Sequence, residues 1–167
     1  MIVTMTTDTR TTTIAAAAPA TAQSPTVAVV AGSKSDQAIT DEAAKVLAEL
    51  GIPHEVRFIS AHRNPEGLKE YVSGSGAKVF IAVAGLAAHL PGVIASMTVR
   101  PVIGVPVAVK LNGLDSLLSI VQMPPGVPVA SVGVDNARNA GILAAEILAL
   151  TDGAVAERLR RMRASWK

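Results

Sequence analysis

Val27-Ala28-Val29-Val30-Ala31-Gly32-Ser33-Lys34-Ser35-Asp36 joins an unbroken apolar run to a Gly-Ser turn and then directly to a helical pattern. A short run with no polar alternation suits a strand buried on both faces, as in a parallel sheet. The segment that follows, Asp36 to Leu50, has Ile39, Ala43, Val46, Leu47 and Leu50 at helical spacing, and Gly51 and Pro53 stop it.

The same strand-then-helix unit recurs along the chain. His54–Ile59 reads as a second strand, with Val56 and Phe58 alternating with Glu55 and Arg57, which implies one partly wet face near a sheet edge. Pro65–Val72 is helical, with Pro65 in the first turn after Asn64. Lys78–Ala84 is a third strand, Ala88–Thr98 a short helix, Val102–Val107 a fourth strand and Leu114–Val121 a helix. Val127–Val132 makes a fifth strand, Asn136–Leu150 a strong helix, and Thr151–Lys167 a last, basic one. Apolar strands alternating with helices predict a three-layer αβα fold around a parallel sheet. Right-handed crossovers leave few topologies, and for five strands the flavodoxin-like order 2-1-3-4-5 is the expected one, closed by a C-terminal helix.

Composition bounds the reading. The 167 residues suit one domain, expected over 26–167, with residues 1–25, rich in Thr, Ala and Pro, as a disordered leader. A signal peptide fits that leader poorly, because Asp8 accompanies Arg10 and a proper apolar region is missing. No apolar run is long enough to span a bilayer. The net charge of +2 is uneven, with Arg158, Arg160, Arg161, Arg163 and Lys167 near the C-terminus. Beside them stand only one Trp, one Tyr and two Phe in the whole chain, so a basic surface for stacking nucleobases is not expected. There is no cysteine, which excludes disulfides and thiolate chemistry and fits a cytoplasmic location.

In such a sheet a ligand binds at the carboxyl ends of the strands, where the strand order reverses between strands 1 and 3. Polar and small residues collect there. Gly32, Ser33, Ser35 and Asp36 follow strand 1, where Gly permits a tight turn and the helix start offers N–H groups to an anion. Taken alone, Ser35 or Asp36 reads equally well as a helix cap. Ser60, Ala61, His62 and Arg63 follow strand 2. They bring together an imidazole able to give and take a proton and a guanidinium suited to phosphate or carboxylate. Ala84, Gly85, Leu86, Ala88, His89 and Leu90 follow strand 3, and small residues there would let a ligand approach the backbone. His89 serves either as a ligand contact or as a cap for the local turn. His54, His62 and His89 make no convincing metal site. Gln122 and Met123 stand at the end of an apolar segment, as lining of a pocket or of a subunit contact.

Four segments then combine into one specific pattern: Gly32–Asp36, Ser60–Arg63, Ala87–Gly92 and Ser119–Pro124. Together they resemble the class I N5-carboxyaminoimidazole ribonucleotide mutases over about Val27 to Leu150. The resemblance implies an isomerase of de novo purine biosynthesis, PurE-like, moving a carboxylate from N5 to C4 of an aminoimidazole ribonucleotide without metal or organic cofactor. It also implies a cytoplasmic homo-octamer with sites between subunits. Ser33, Asp36 and Arg63 would bind the ribose phosphate and His62 would be the catalytic imidazole. The Gly85–Leu90 loop would line the imidazole and carboxylate site. The chain departs from the pattern at Val83 and Leu86, where the resemblance implies Gly.

Other readings remain in view. The related class II enzymes carboxylate the aminoimidazole nucleotide directly with CO2, but carry Lys where this chain has Arg63. A paralogue acting on a related nucleotide is a further alternative, kept open by Leu86. A flavin-binding module would want aromatic residues, and a phosphoacceptor receiver an Asp where Gly85 and Ala87 stand.

Overall fold

The computed structural model describes residues 25–166, so the expected leader lies almost wholly outside the described residues. Strand β1 (Val27–Ala31) is buried along its whole length. It pairs in parallel on both edges, with β2 (His54–Phe58) on one side and β3 (Val79–Gly85) on the other, and both of its faces are covered by helices. β4 (Val102–Val107) and a short β5 (Ala130–Ser131) complete a sheet of order 2-1-3-4-5, the expected topology. β2 lies at an edge, as its mixed pattern predicted.

Alternate side chains of each strand point to opposite faces, so one apolar run supplies two cores. Val27, Val29 and Ala31 meet α1 (Gln37–Glu49), α5 (Ala137–Ala149) and α6 (Gly153–Ala164). Ala28 and Val30 meet α2 (Pro65–Gly74), α3 (Leu90–Met97) and α4 (Leu114–Val121). The helices thus form a layer on each face. α1 and α5 cross closely at Gly141, where an added Cβ would come against the Val46 side chain and within 3.2 Å of the Ala43 carbonyl oxygen.

Three expected boundaries need correction. The fifth strand was expected over Val127–Val132, but only Ala130 and Ser131 pair, with Ile103 and Gly104. Prolines at 124, 125 and 128 have no N–H to donate to a ladder, which leaves little backbone able to pair before Ala130. The helix expected from Ala88 begins at Leu90, because tight backbone bonds from Ala88 N–H to Leu86 (2.9 Å) and from His89 N–H to Ala87 (2.7 Å) occupy the preceding turn. The last helix begins at Gly153, where the Asp152 carboxylate accepts from the N–H groups of Ala154 (2.9 Å) and Val155 (3.2 Å). The positive charges of that helix are engaged within the fold. Arg158 Nε donates to the Leu50 carbonyl at 2.6 Å, Arg160 and Arg161 pair with Glu157, and Arg163 pairs with Glu146.

Arg100 closes the amino-terminal side of β4. Its guanidinium donates to the carbonyls of Val72 (2.6 Å), Ser75 (2.7 Å) and Ala77 (2.8 Å), and to Thr98 Oγ1 (2.9 Å). It also lies 4.7 Å from the centre of the Phe80 ring. Several acceptors at the end of α2 therefore depend on one cation. Arg100→Ala is expected to lower unfolding free energy by about 2–4 kcal/mol in urea denaturation, with Arg100→Lys recovering only part of it. Gly141→Ala is expected to cost about 1–3 kcal/mol by overpacking α1 against α5, read by the same denaturation.

Candidate active site

The carboxyl ends of β1, β2 and β3 border one open cavity of about 450 Å3. Gly32, Ser33, Ser35 and Asp36 reach it from the β1 loop, and Ser60, Ala61, His62 and Arg63 from the β2 loop. Ala84, Gly85, Leu86, His89 and Leu90 reach it from the β3 end. Ala87, within the Gly85–Leu90 loop, and Val109, which sequence reasoning missed, also line it. Ala88 does not. It was expected at the site, but it is buried with Leu90 and Ile94 in the core beneath α3, because the tight turn at Leu86–Ala88 rotates it inward. Val109 follows β4, which neighbours β3, so the strand order itself carried the signal for it.

The β2 loop is a single tight turn. Asn64 N–H donates to the Ser60 carbonyl at 2.9 Å, and the Asn64 side chain caps α2 by accepting from Gly67 N–H at 3.1 Å. Ser60 Oγ accepts from the Arg63 backbone N–H (3.2 Å) and from Arg63 Nε (3.4 Å). One Arg63 terminal nitrogen donates to the Gly32 carbonyl at 3.0 Å, tying the β2 loop to the β1 loop. None of the ion pairs among the described residues involves Arg63. Its charge is therefore available to an anion in the cavity.

The β1 loop differs from expectation in its caps. Ser33, and neither Ser35 nor Asp36, makes the capping bond, accepting from Ser35 N–H at 3.2 Å. Asp36 makes no side-chain cap bond and instead accepts from Ser35 Oγ at 3.2 Å. Its carboxylate thus stands at the cavity rim. Gly32 is not in the left-handed region and a Cβ there would meet open space, so the tight-turn reason for that glycine is not realised.

His62 and His89 meet inside the cavity. Nε2 of His62 lies 2.8 Å from Nδ1 of His89, and the rings stand edge-on at 4.9 Å and 79°. One ring donates and the other accepts, so the contact requires at least one neutral imidazole. His89 occupies the cap position of α3 but makes no capping bond, so the cap reading gives way to a contact with His62. His54 bonds the Ile52 carbonyl at the opposite end of β2, 2.8 Å away. Among the described residues, no three His, Asp or Glu side chains converge as a metal site. Met123 packs against Gly92, and neither it nor Gln122 reaches the cavity.

The β3 loop is not built of small residues alone. Leu86 has φ of 57°, a conformation that favours glycine and costs a branched residue about 1–2 kcal/mol, and it is 48% exposed. A Cβ on Gly85 would come within 2.7 Å of Val109 Cγ2, so a larger residue there would displace the Val109 side chain.

A parallel αβα sheet with an imidazole pair and, at its switch point, a guanidinium outside every ion pair among the described residues defines a small-ligand-binding α/β enzyme scaffold. The AIR carboxylase family profile matches residues 26–167, and the chain belongs to that family. A Methanocaldococcus jannaschii protein named N5-carboxyaminoimidazole ribonucleotide mutase is 57% identical over 141 residues, covering 84% of this chain and 90% of the relative. Equally named proteins of Pyrococcus horikoshii (55% identity; 83% of this chain, 81% of the relative) and Thermotoga maritima (50%; 86% of each) are similar too. The crystal structure of Treponema denticola PurE superposes with a TM-score of 0.76 at 31% identity, covering 84% of this chain and 90% of that one.

The histidine contact can be checked directly. In ring-nitrogen NMR, His89→Leu is expected to shift the His62 ring signals while leaving the His54 signals in place. Unchanged His62 signals would show that the 2.8 Å contact is not made in solution.

Proposed function

We propose that this chain converts N5-carboxyaminoimidazole ribonucleotide to 4-carboxy-5-aminoimidazole ribonucleotide in de novo purine biosynthesis, with His62 as the acid–base residue. The observation that carries this reading is the placement of His62 and Arg63, consecutive residues of one loop, on the same cavity. An imidazole and an anion-binding group are thereby held at a fixed separation. The names of the similar proteins support the choice of substrate.

Each residue then has a chemical task. Arg63 binds the ribose phosphate as a fixed cation, with Ser33, Ser35 and the N–H groups near Asp36 completing the anion and ribose contacts. Protonated His62 delivers its proton to N5 as the N–CO2 bond breaks, which leaves an electron-rich imidazole and CO2. C4 attacks the retained CO2, and proximity replaces a bimolecular encounter. The adduct at C4 carries one proton too many. Neutral His62 removes it, restoring the aromatic ring and its own starting state, so the net change is an isomerisation. Such proton transfers contribute about 10²–10⁴-fold, the rest coming from positioning. His89, bonded to His62, holds its ring in orientation. The scheme uses no metal or organic cofactor.

We extend the proposal to a homo-oligomer, an octamer by family resemblance. Leu111, Leu114, Leu118 and Val121 leave an apolar stripe exposed along and just before α4, as a subunit contact requires. We place the enzyme in the cytoplasm, where a phosphorylated nucleotide is retained. No helix among the described residues is long and apolar enough to cross a membrane.

The test is a spectrophotometric assay of interconversion of the two carboxylated ribonucleotides. The parent should turn over without added bicarbonate, and His62→Asn should fold normally but lose activity by at least about 10²-fold. Near-normal activity of that variant, or turnover that depends on added CO2, would overturn the scheme. Arg63→Ala should raise KM by roughly 10- to 100-fold, as expected for loss of a charge-assisted phosphate contact.

A further inference from the structure

β5 pairs with β4 through Ala130 and Ser131 alone, yet the backbone beyond it stays bonded to β4. Val132 N–H donates to the Gly104 carbonyl at 3.2 Å, which continues the ladder by one bond. Asp135 then takes over. Its N–H donates to the Pro106 carbonyl at 2.8 Å, and its carboxylate accepts from the Ala108 N–H at 2.9 Å. One residue thus supplies the donor and the acceptor that a further length of strand would have given. The side chain stands in for a backbone carbonyl. Asp135 does this at φ of 56°, a left-handed conformation that Asp tolerates better than most residues.

What these bonds hold is a wall of the cavity. Ala108 is followed at once by Val109, which lines the cavity and is half exposed. Val109 N–H closes a tight turn onto the Val107 carbonyl at 3.1 Å, so its position follows that of Ala108. Val134, beside Asp135, secures the far end of the same loop, since a Cβ on Gly113 would come within 2.5 Å of Val134 Cγ1. The stretch leading to that end, Leu111 to Gly113, is left-handed at every residue, with φ of 46°, 53° and 82°. Its own backbone preferences therefore do not keep it in place. Val134 and Asp135 grip the β4 loop at both ends, although Asp135 itself does not line the cavity.

We propose that Asp135 is a positioning residue for the ligand cavity, holding the β4 loop so that Val109 keeps its place in the wall. This rests on the cavity being the ribonucleotide site argued above. β4 lies three strands away from β2, whose loop bears His62, so proton transfer does not depend on the β4 loop. A drifting wall weakens contact with substrate and transition state alike, which raises KM and leaves kcat nearly unchanged.

Asp135→Gly and Asp135→Asn separate the hydrogen bond from charge and from backbone strain. Glycine adopts the left-handed backbone freely but has no acceptor, whereas asparagine tolerates it and keeps an oxygen for Ala108. Asp135 is exposed, so thermal melting should show both variants folded. Two readouts are taken well below melting: amide hydrogen exchange at Ala108, and steady-state turnover of N5-carboxyaminoimidazole ribonucleotide. Asp135→Gly should speed Ala108 exchange roughly tenfold or more and raise KM about three- to tenfold, with kcat within about twofold. Asp135→Asn should stay within about twofold of the parent in all three. A purely structural Asp135 would lower the melting temperature of Asp135→Gly and leave KM as in the parent, and that result overturns the proposal. So does unchanged exchange at Ala108, a loss carried by kcat instead of KM, or an Asn variant as impaired as the Gly one. A parent that does not turn over the nucleotide removes the functional reading and the positioning role with it. Parent turnover with an unaffected Asp135→Gly removes the positioning role alone.

Discussion

The structure depends on β1 being hydrogen-bonded on both edges. The parallel crossovers that place it there also lay helices over both faces, which is why Val27–Ala31 is wholly apolar and wholly buried. Its neighbours are β2, reached over one face through α1, and β3, reached from β2 through α2 on the other. The loops leaving β1 and β3 therefore diverge toward opposite layers and open a crevice between them. The cavity is a consequence of strand order, and the loops only furnish it.

That dependence explains why so much was legible. An apolar run of strand length, ended by Gly-Ser and followed by helical spacing, is a pattern that only a doubly covered sheet satisfies well. Strand order followed from handedness and identified which loops to read. The failures have equally physical causes. The fifth strand was overread because apolar residues at 127, 129 and 132 suggest a strand, while the prolines around them lack the donors to pair one. Ala88 was misplaced because a tight turn of one residue's difference exchanges cavity for core. Val109 carries no polar or glycine signal of its own, and only its place after β4, beside β3, brings it to the same crevice.

The contact between His62 and His89 was beyond reach of sequence reasoning. The two residues lie 27 positions apart on loops that follow different strands. Their meeting depends on the Ser60–Asn64 turn and on the turn at Leu86–His89 together. Read separately, His62 is a candidate acid–base group and His89 either a ligand contact or a turn cap, and neither reading points to the other. Joined, they restrict one another's tautomer and orientation, which is what an acid–base residue needs from its surroundings.

Arg63 carries a consequence beyond charge. Its Nε and one terminal nitrogen are already held by Ser60 Oγ and the Gly32 carbonyl. A free arginine on an exposed loop samples many rotamers, and a ligand must immobilise it at a cost of about 0.5–1.5 kcal/mol. Here folding has fixed the side chain before any ligand arrives. The guanidinium plane is set by the backbone of a neighbouring loop, with further N–H groups left to donate. An incoming anion thus meets a preorganised donor, and the conformational entropy of the arginine enters the stability of the fold and not the affinity of the site.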